Sequence, residues 1–130
     1  MKLTKSILLF ALIVTGQQVF CQTRIAAADA SKHIGDSVSI EDKIYSAKVF
    51  DNGMTLLNVG GKFPNHLLVL MIQPKVKALF TFKPEEQLNR WVRMVGKITD
   101  YKGKPQIVIS DPKQFEFMKD HYPMPGEKTE

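Results

Sequence analysis

The residues best suited to chemistry surround one glycine late in the chain. Tyr101, Lys102 and Lys104 flank Gly103 in "DYKGKPQIVISDP", directly before an apolar run. An aromatic ring can stack on a nucleobase, and two ammonium groups can contact phosphates, so the group is suited to holding an anionic polymer with planar bases. The same residues also fit an ordinary solvated hairpin turn. At this point both interpretations stay open.

Further cations and aromatic rings recur at predicted turns and along one predicted strand. They are Lys48 and Phe50 before "DNG", Lys62 and Phe63 in "GGKFPN", and Arg93 and Lys97 in "WVRMVGKITDY". Alternate residues of a strand share a face, which places Arg93 and Lys97 on the same side as Tyr101. These residues extend the candidate binding set beyond the glycine turn.

The sequence offers little for catalysis or for a metal ion. His33, His66 and His121 are scattered and have no partner at metal-ligand spacing. The carboxylate pair Glu85 and Glu86 lies in a polar connection, where a solvated surface is the simpler interpretation. No nucleophile elbow, phosphate-binding loop or zinc signature occurs. We therefore expect a non-catalytic protein without a metal or another cofactor.

The first 21 residues have the layout of a secretory signal peptide. Lys2 and Lys5 form a positive head, the apolar run "SILLFALIV" follows, and a short segment ends at Cys21. The run is shorter than the roughly 20 apolar residues that span a bilayer. We expect cleavage after Cys21 and export to the periplasm or the cell exterior. Acylation of Cys21 is the alternative, although Val19 and Phe20 are larger than the residues that usually precede an acylated cysteine.

Cleavage at that point predicts one domain, residues 22–118, and a flexible tail, residues 119–130. Cys21 is the only cysteine, so the exported chain has no disulfide, thiol nucleophile or cysteine metal site. Without Lys2 and Lys5, 16 of the 18 basic residues remain against 13 acidic ones, a net charge of +3. This bias permits an anionic partner without requiring one. Three aspartates near the turns oppose it: Asp51, Asp100 and Asp111.

Apolar alternation and turn signals predict five strands, at residues 36–50, 54–59, 66–72, 91–101 and 105–110. The alternation slips near Asp42, which indicates a bend in a long first strand. Trp91 is expected in the core or as a plug of the fold. The inward side chains of the fourth strand are expected to be Val92, Met94 and Ile98.

Two short helices complete the predicted elements. The alanine-rich residues 23–34 end at Gly35, and residues 75–81 lie between the third and fourth strands. The chain is expected to leave the fold from Asp111 onward. Five strands with a helix between the third and fourth predict an all-β fold: a five-stranded OB-fold Greek-key barrel with a short N-terminal helix.

Two stretches also resemble a known group of domains. They are "LLNVGGKFPNHLLVLMI" and "VGKITDYKGKPQIVISDPKQFEF", and the resemblance spans about residues 28–117. The group resembled is that of bacterial exported OB-fold nucleic-acid-binding domains, which are tRNA-anticodon-binding-like and occur alone or fused to nucleases. The resemblance implies binding of single-stranded DNA or RNA, with a nuclease as a candidate partner. We expect a monomer.

The OB order and the resemblance together predict a binding surface on the second and third strands and the adjoining loops. The predicted nucleic-acid-binding residues are Lys48, Phe50, Lys62, Phe63, Arg93, Lys97, Tyr101, Lys102 and Lys104. The alternative is an exported interaction or stress protein that binds a peptide, an oligosaccharide or a small ligand. A continuous basic track and strong salt dependence favour nucleic acid, whereas a neutral aromatic cleft favours the alternative.

Overall fold

The computed structural model of the protein describes residues 22–119. The predicted signal peptide, residues 1–21, lies outside them, as does all of the predicted tail except Lys119. Across the described residues, no helix has both the length and the apolar character needed to cross a bilayer.

Strands dominate the described part of the chain. The strands are β1 (Thr23–Ile25), β2 (Ser37–Val49), β3 (Thr55–Val59), β4 (Leu68–Ile72), β5 (Trp91–Tyr101), β6 (Lys104–Ile109) and β7 (Phe115–Phe117). The helices are α1 (Pro74–Lys77) and three 3-10 helices, at Ala27–Lys32, Pro84–Glu86 and Pro112–Gln114. Strands β2 to β6 correspond to the five predicted strands, and α1 to the predicted helix between the third and fourth of them.

Five of the strands close into a barrel. Their order is β2-β3-β4-β6-β5, and β5 pairs back onto β2. The β4–β6 pair is parallel and the other barrel pairs are antiparallel. This closed order, with α1 between β4 and β5, confirms the predicted OB-fold.

Strand β2 takes part in both halves of the barrel because it changes partner along its length. Residues 37–43 pair with β5, and the residues from Ile44 onward pair with β3. The register shifts between Ile44 and Ser46, so Tyr45 is the extra residue of a bulge. The predicted bend therefore exists, three residues beyond Asp42. A bulge of this kind turns the strand so that its second half can close a small barrel.

The barrel interior is filled by aliphatic side chains from all five barrel strands. The largest of those with no exposure are Ile40, Ile44, Leu57, Leu68, Leu70, Ile72, Met94, Ile98, Ile107 and Ile109. Val92, Met94 and Ile98 face inward as predicted. Each such side chain contributes about 1.5–3 kcal/mol on burial, so the core holds the barrel without a disulfide. Trp91 is only partly buried at the start of β5, with the Lys43 ammonium 5.3 Å from its ring centroid.

The predicted N-terminal helix is shorter than expected. Its first residues form β1, which pairs in parallel with Val38–Ile40 of β2, and only Ala27–Lys32 are helical, as a 3-10 helix. Ala27 and Ala30 are buried against the core cluster. The alanines therefore serve close packing on the barrel, and this tertiary contact overrides their local helix preference.

The chain does not leave the fold at Asp111, and that prediction was wrong. Residues Phe115–Phe117 form β7, which pairs with β5. The turn into β7 is a capping box, in which the Asp111 side chain accepts from the backbone and the Gln114 side chain bonds back to Asp111. The Gln114 amide also donates to the Val95 carbonyl at 2.9 Å, which fixes the turn against β5.

Candidate ligand-binding groove

A groove of about 720 Å³ lies on the outer face of β2, β3 and β4. The loop between β3 and β4 and the turn between β5 and β6 form its rim. Its lining residues are Ser46, Ala47, Lys48, Phe50, Leu56, Asn58, Lys62, Phe63, Pro64, His66, Val69, Tyr101, Lys102 and Lys104. A volume of this size is within the range of small-ligand sites.

Cross-strand register places the floor of the groove. Ser46 is opposite Asn58, which is opposite Val69, and Lys48 is opposite Leu56. Directly opposed residues share a face of the sheet, so these side chains meet on the outside of the barrel. The floor therefore combines apolar surface with a hydroxyl and an amide.

Two side chains connect the β3–β4 loop to the strands on either side of the groove. The Ser46 hydroxyl accepts hydrogen bonds from Asn58 Nδ2 at 3.0 Å and from the Phe63 backbone N–H at 3.3 Å. From β6, the Lys104 ammonium donates to the His66 carbonyl at 3.1 Å and to the Pro64 carbonyl at 3.4 Å. The loop is thus attached at both sides of the groove.

Phe63 presents the most exposed large apolar side chain of the described residues, at 74% exposure. Its ring stacks on the His66 ring, with centroids 5.8 Å apart and planes 17° apart. The peptide bond between Phe63 and Pro64 is cis. One face of Phe63 is supported from within the protein while most of the ring remains accessible. This is the arrangement expected of a platform for another planar group.

Two of the groove lysines lie over aromatic rings. Lys48 Nζ is 4.8 Å from the Phe50 ring centroid, and Lys102 Nζ is 5.3 Å from the Tyr101 ring centroid. Both distances are within the range of cation–π attraction. A planar ligand at Phe50 or Tyr101 must use the other ring face or displace the ammonium, whereas Phe63 has no such competitor among the described residues.

The β5–β6 turn projects Lys102 at the groove rim. Tyr101 pairs directly with Lys104, so Lys102 and Gly103 are the two turn residues. Their φ angles are +51° and +80°, the positive values that a type I′ hairpin turn requires at both positions. Glycine adopts this conformation freely, while lysine does so less readily than asparagine. The turn is thus a hairpin, as predicted, and it also places a cation on the groove.

The groove is positively charged. Among the described residues, four that line it are lysines and none that lines it is acidic. Within residues 22–119, no salt bridge joins any of these lysines to a carboxylate. The aspartates predicted to oppose the positive field, Asp51, Asp100 and Asp111, are exposed and do not line the groove. Their position leaves the lysine charges unneutralised at the groove itself.

His66 is the buried titratable group of the groove. Burial and the nearby Lys104 ammonium lower the pKa of its imidazole from the usual 6.5. Its Nδ1 makes no hydrogen bond to any described residue. His66 is therefore neutral at pH 7, and it supports Phe63 as an uncharged ring.

Seven of the nine predicted site residues come together in the groove. They are Lys48, Phe50, Lys62, Phe63, Tyr101, Lys102 and Lys104. Arg93 and Lys97 do not line it. Both face outward on β5, but on the part of the strand that pairs with the first half of β2.

Arg93 instead belongs to an ion-paired surface that we call the paired face, formed by Arg24, Glu41, Arg93 and Glu116. Arg93 donates to Glu41 Oε1 from Nη2 at 2.9 Å and from Nε at 3.1 Å. Arg24 Nη2 is 2.6 Å from Glu41 Oε2, and Arg93 Nη1 is 3.5 Å from Glu116 Oε2. These contacts join β1, β2, β5 and β7, so Arg93 has a structural role in holding these strands together.

Three polar residues that line the groove, Ser46, Asn58 and His66, were not predicted as site residues. Ser46 and Asn58 are small polar residues on strands, and His66 was assigned only to a strand and to a scattered set of histidines. The alternation of Ser46, Lys48 and Phe50 was a usable signal, because it places a hydroxyl on the same face as two predicted site residues. The stacking of His66 on Phe63 depends on the loop conformation and had no local signal.

The groove shows no donor set for a metal ion. In the part of the chain that the structure describes, no three histidine, cysteine, aspartate or glutamate residues are grouped closely enough to hold one. What the groove offers is a stacking surface, ammonium donors and a short polar row. These groups suit non-covalent binding of a planar, anionic molecule.

Comparison with one solved structure supports the fold. An OBody bound to hen egg-white lysozyme matches with a TM-score of 0.56 at 11% identity, over 82% of this chain and 97% of that one. A protein assigned as an aspartyl-tRNA synthetase from Leishmania major Friedlin matches with a TM-score of 0.49 at 10% identity. The S. pombe Stn1-Ten1 complex matches with a TM-score of 0.46 at 15% identity. At these identities the likeness concerns the fold alone.

The matched regions differ in extent. The match to the Leishmania protein covers 80% of this chain and 22% of that protein. The match to the Stn1-Ten1 complex covers 65% of this chain and 59% of the matched chain. No protein-family model matches the sequence, and no curated protein matches it. The strand order of the barrel assigns the protein to the OB-fold class. The ligand has to be inferred from the groove.

Proposed function

We propose that the protein is a non-catalytic, exported OB-fold module that binds single-stranded nucleic acid in the groove. The observation that carries this proposal is the combination of an accessible, supported ring at Phe63 with four lysines and no acidic residue around one groove. Rings stack on bases of any sequence, and ammonium groups follow the phosphates, which are the two requirements of single-strand binding.

The proposed binding mode follows from the positions of these groups. A base stacks on the exposed face of Phe63, a contact worth about 1–3 kcal/mol. The exposed lysines Lys48, Lys62 and Lys102 contact phosphates on either side of it. Each single-strand phosphate contact should add about 0.7 to the slope of log affinity against log salt concentration.

Export is part of the proposal and rests on the signal-peptide pattern of residues 1–21. The site of action would then be the periplasm or the cell exterior, with the protein acting as a monomer. The resemblance to domains fused to nucleases makes an exported nuclease a candidate partner. Such a nuclease would cleave a strand that this domain holds.

The apolar floor favours a second candidate, an exported protein that binds an oligosaccharide or a peptide. Leu56 and Val69 line the floor beside the Ser46 and Asn58 row. A sugar ring can stack on Phe63 and hydrogen-bond to the row without any phosphate contact. OB-folds bind oligosaccharides as well as oligonucleotides. Such a ligand would show little salt dependence.

The two candidates are separated by fluorescence anisotropy. The purified protein is titrated against a labelled oligothymidylate of about 12 nucleotides, within the ~4–16 that one OB-fold occupies. The titration is repeated over several salt concentrations, with duplex DNA, an oligosaccharide and an unlabelled peptide as competitors. We expect tight, salt-sensitive binding that the triple variant Lys48→Gln, Lys62→Gln, Lys102→Asn weakens, with a slope lower by about 2.

A matched control is Lys75→Gln, which removes a lysine from α1 that does not line the groove. It should leave the affinity and the slope as in the wild type. Absence of binding even at low salt would reject single-stranded nucleic acid as the ligand. Salt-insensitive displacement by the oligosaccharide would favour the second candidate.

A further inference from the structure

Lys104 differs from the other three groove lysines in what its ammonium contacts. Lys104 is only partly exposed, and its Nζ donates to two backbone carbonyls of the β3–β4 loop, at 3.1 Å and 3.4 Å. Lys48 and Lys102 direct their ammonium groups over rings, and Lys62 is exposed. The four cations therefore do not share one environment.

The hydrogen-bond capacity of Lys104 is largely used by the loop. An ammonium group has three N–H donors and no acceptor. Two of these are committed to the Pro64 and His66 carbonyls. A phosphate could take at most the third donor without breaking a bond within the protein. Breaking either bond would leave a carbonyl in need of a new partner.

The two carbonyls belong to Pro64, the residue after Phe63, and to His66, whose ring supports that of Phe63. The rest of the loop is held by backbone bonds, from Asn65 N–H to the Lys62 carbonyl at 2.8 Å and from Leu67 N–H to the Val59 carbonyl at 3.0 Å. Lys104 adds the connection from the opposite side of the groove, since β6 pairs with β4 rather than with β3.

We propose that Lys104 is a positioning residue: its ammonium binds the Pro64 and His66 carbonyls and orients Phe63, and it does not serve as a phosphate contact. This inference rests on the proposed function for its effect on affinity. Its structural part, the attachment of the loop, stands independently of any ligand. A loop that is held before binding loses less conformational entropy when a base stacks on it.

Three variants test the proposal. Lys104→Met keeps an unbranched side chain as far as the ε carbon and removes the ammonium group with all its N–H donors. Lys104→Arg keeps donors that can reach two carbonyls. Lys102→Asn, at a turn position where asparagine tolerates a positive φ, removes a cation that is free of carbonyl bonds.

Two measurements are made on each variant. The first is amide hydrogen exchange of Asn65 and Leu67, compared with Leu70 in the barrel core. The second is the salt dependence of oligothymidylate affinity. For Lys104→Met we expect exchange at Asn65 and Leu67 to rise about 5-fold or more with Leu70 unchanged, and affinity to fall about 5-fold with the wild-type slope. Lys104→Arg should restore both, and Lys102→Asn should lower the slope by about 0.7 with normal exchange.

The outcomes separate this inference from the proposed function. A slope lowered by about 0.7 in Lys104→Met overturns the inference, because Lys104 would then contact a phosphate. Unchanged exchange at Asn65 and Leu67 also overturns it. If the wild-type protein binds no oligonucleotide, the proposed function fails, and the exchange measurement still decides whether Lys104 holds the loop.

Discussion

The groove and the paired face are both rich in cations, but they satisfy those cations differently. On the paired face, Glu41 is nearly buried and receives both Arg24 and Arg93. In the groove, lysine ammonium groups lie over rings or against backbone carbonyls, and no carboxylate of residues 22–119 lines the site. Only the second arrangement leaves positive charge available to a ligand.

The number of basic residues on a surface is therefore not enough to locate a binding site. Arginine's planar group, with five donors, suits fixed pairing with carboxylates, and on this chain the paired face uses arginines. Lysine's flexible stem and single ammonium suit a rim that adapts to a ligand. Four predictions, taken in order of expected effect, test this division.

Glu41→Gln should have the largest effect, and on stability. It removes the charge that two arginines share, and a hydrogen bond to a charged group contributes about 1.5–3 kcal/mol. The arginine side chains are partly exposed, so we expect a loss near the lower end of that range. Urea unfolding should show a lower midpoint with an unchanged m-value. A midpoint equal to the wild type would mean that the paired face does not stabilise the barrel.

Phe63→Ala should have an effect of similar size, but on binding rather than on stability. Loss of one stacking platform corresponds to about 1–3 kcal/mol, or a 5- to 150-fold lower affinity for the oligothymidylate. The ring is largely exposed, so the free energy of unfolding should change by no more than about 0.5 kcal/mol. Leu79→Ala is the matched control, since Leu79 is 64% exposed and does not line the groove. Equal effects of the two variants would remove Phe63 from the site.

Lys102→Asn and Arg93→Gln compare the groove and the paired face directly, with one cation removed from each. The first should lower the salt slope by about 0.7 without loss of stability, because asparagine suits the turn. The second should leave the slope unchanged and lower the unfolding midpoint, because it breaks the bonds to Glu41. Lys97→Gln, also outside the groove, should leave the slope unchanged. A reduced slope in either of these last two variants would extend the interface onto the paired side of β5.

The smallest effect expected is a pH dependence that comes from His66. Its pKa is lowered in the folded protein, so the unfolded chain binds the proton first as pH falls below about 6.5. The stability contributed by neutral His66 is therefore full above pH 6.5 and is lost as pH falls toward and through the folded pKa. Urea midpoints at about pH 7.5 and pH 5.5 should differ by less in His66→Phe, which keeps a ring beneath Phe63. An identical pH dependence in both proteins would contradict this role.

Local patterns were sufficient for the barrel and insufficient for the partners of its surface side chains. Alternation predicted the full extent of β5, and "DNG" and "KGK" predicted both hairpin turns. Arg93 pairs with Glu41, which is 52 positions away in the sequence. No local pattern could therefore show that Arg93 lies outside the groove. By contrast, β7 was within reach: Phe115, Glu116 and Phe117 alternate as a strand does, but the neighbouring proline and charges suggested a tail.

The chemistry of the predicted site was likewise only partly accessible. Lysines and rings near predicted turns include seven of the residues that line the groove. The β3–β4 loop and the β5–β6 turn lie at the same end of the barrel, because β4 and β6 start there side by side. Which of the lysines is occupied by carbonyls depends on the path of the β3–β4 loop, and Lys104 is 38 residues from His66. That assignment needs the folded structure.

The positions of β1 and β7 determine where the domain can be joined to another molecule. Both are outer strands, beside β2 and beside β5, and neither contributes a residue to the groove. A bead, a dye or another protein joined near Thr23 or after Phe117 would therefore leave the groove open to solution. The domain can therefore be attached to a support or to another protein at either of these strands without blocking the groove.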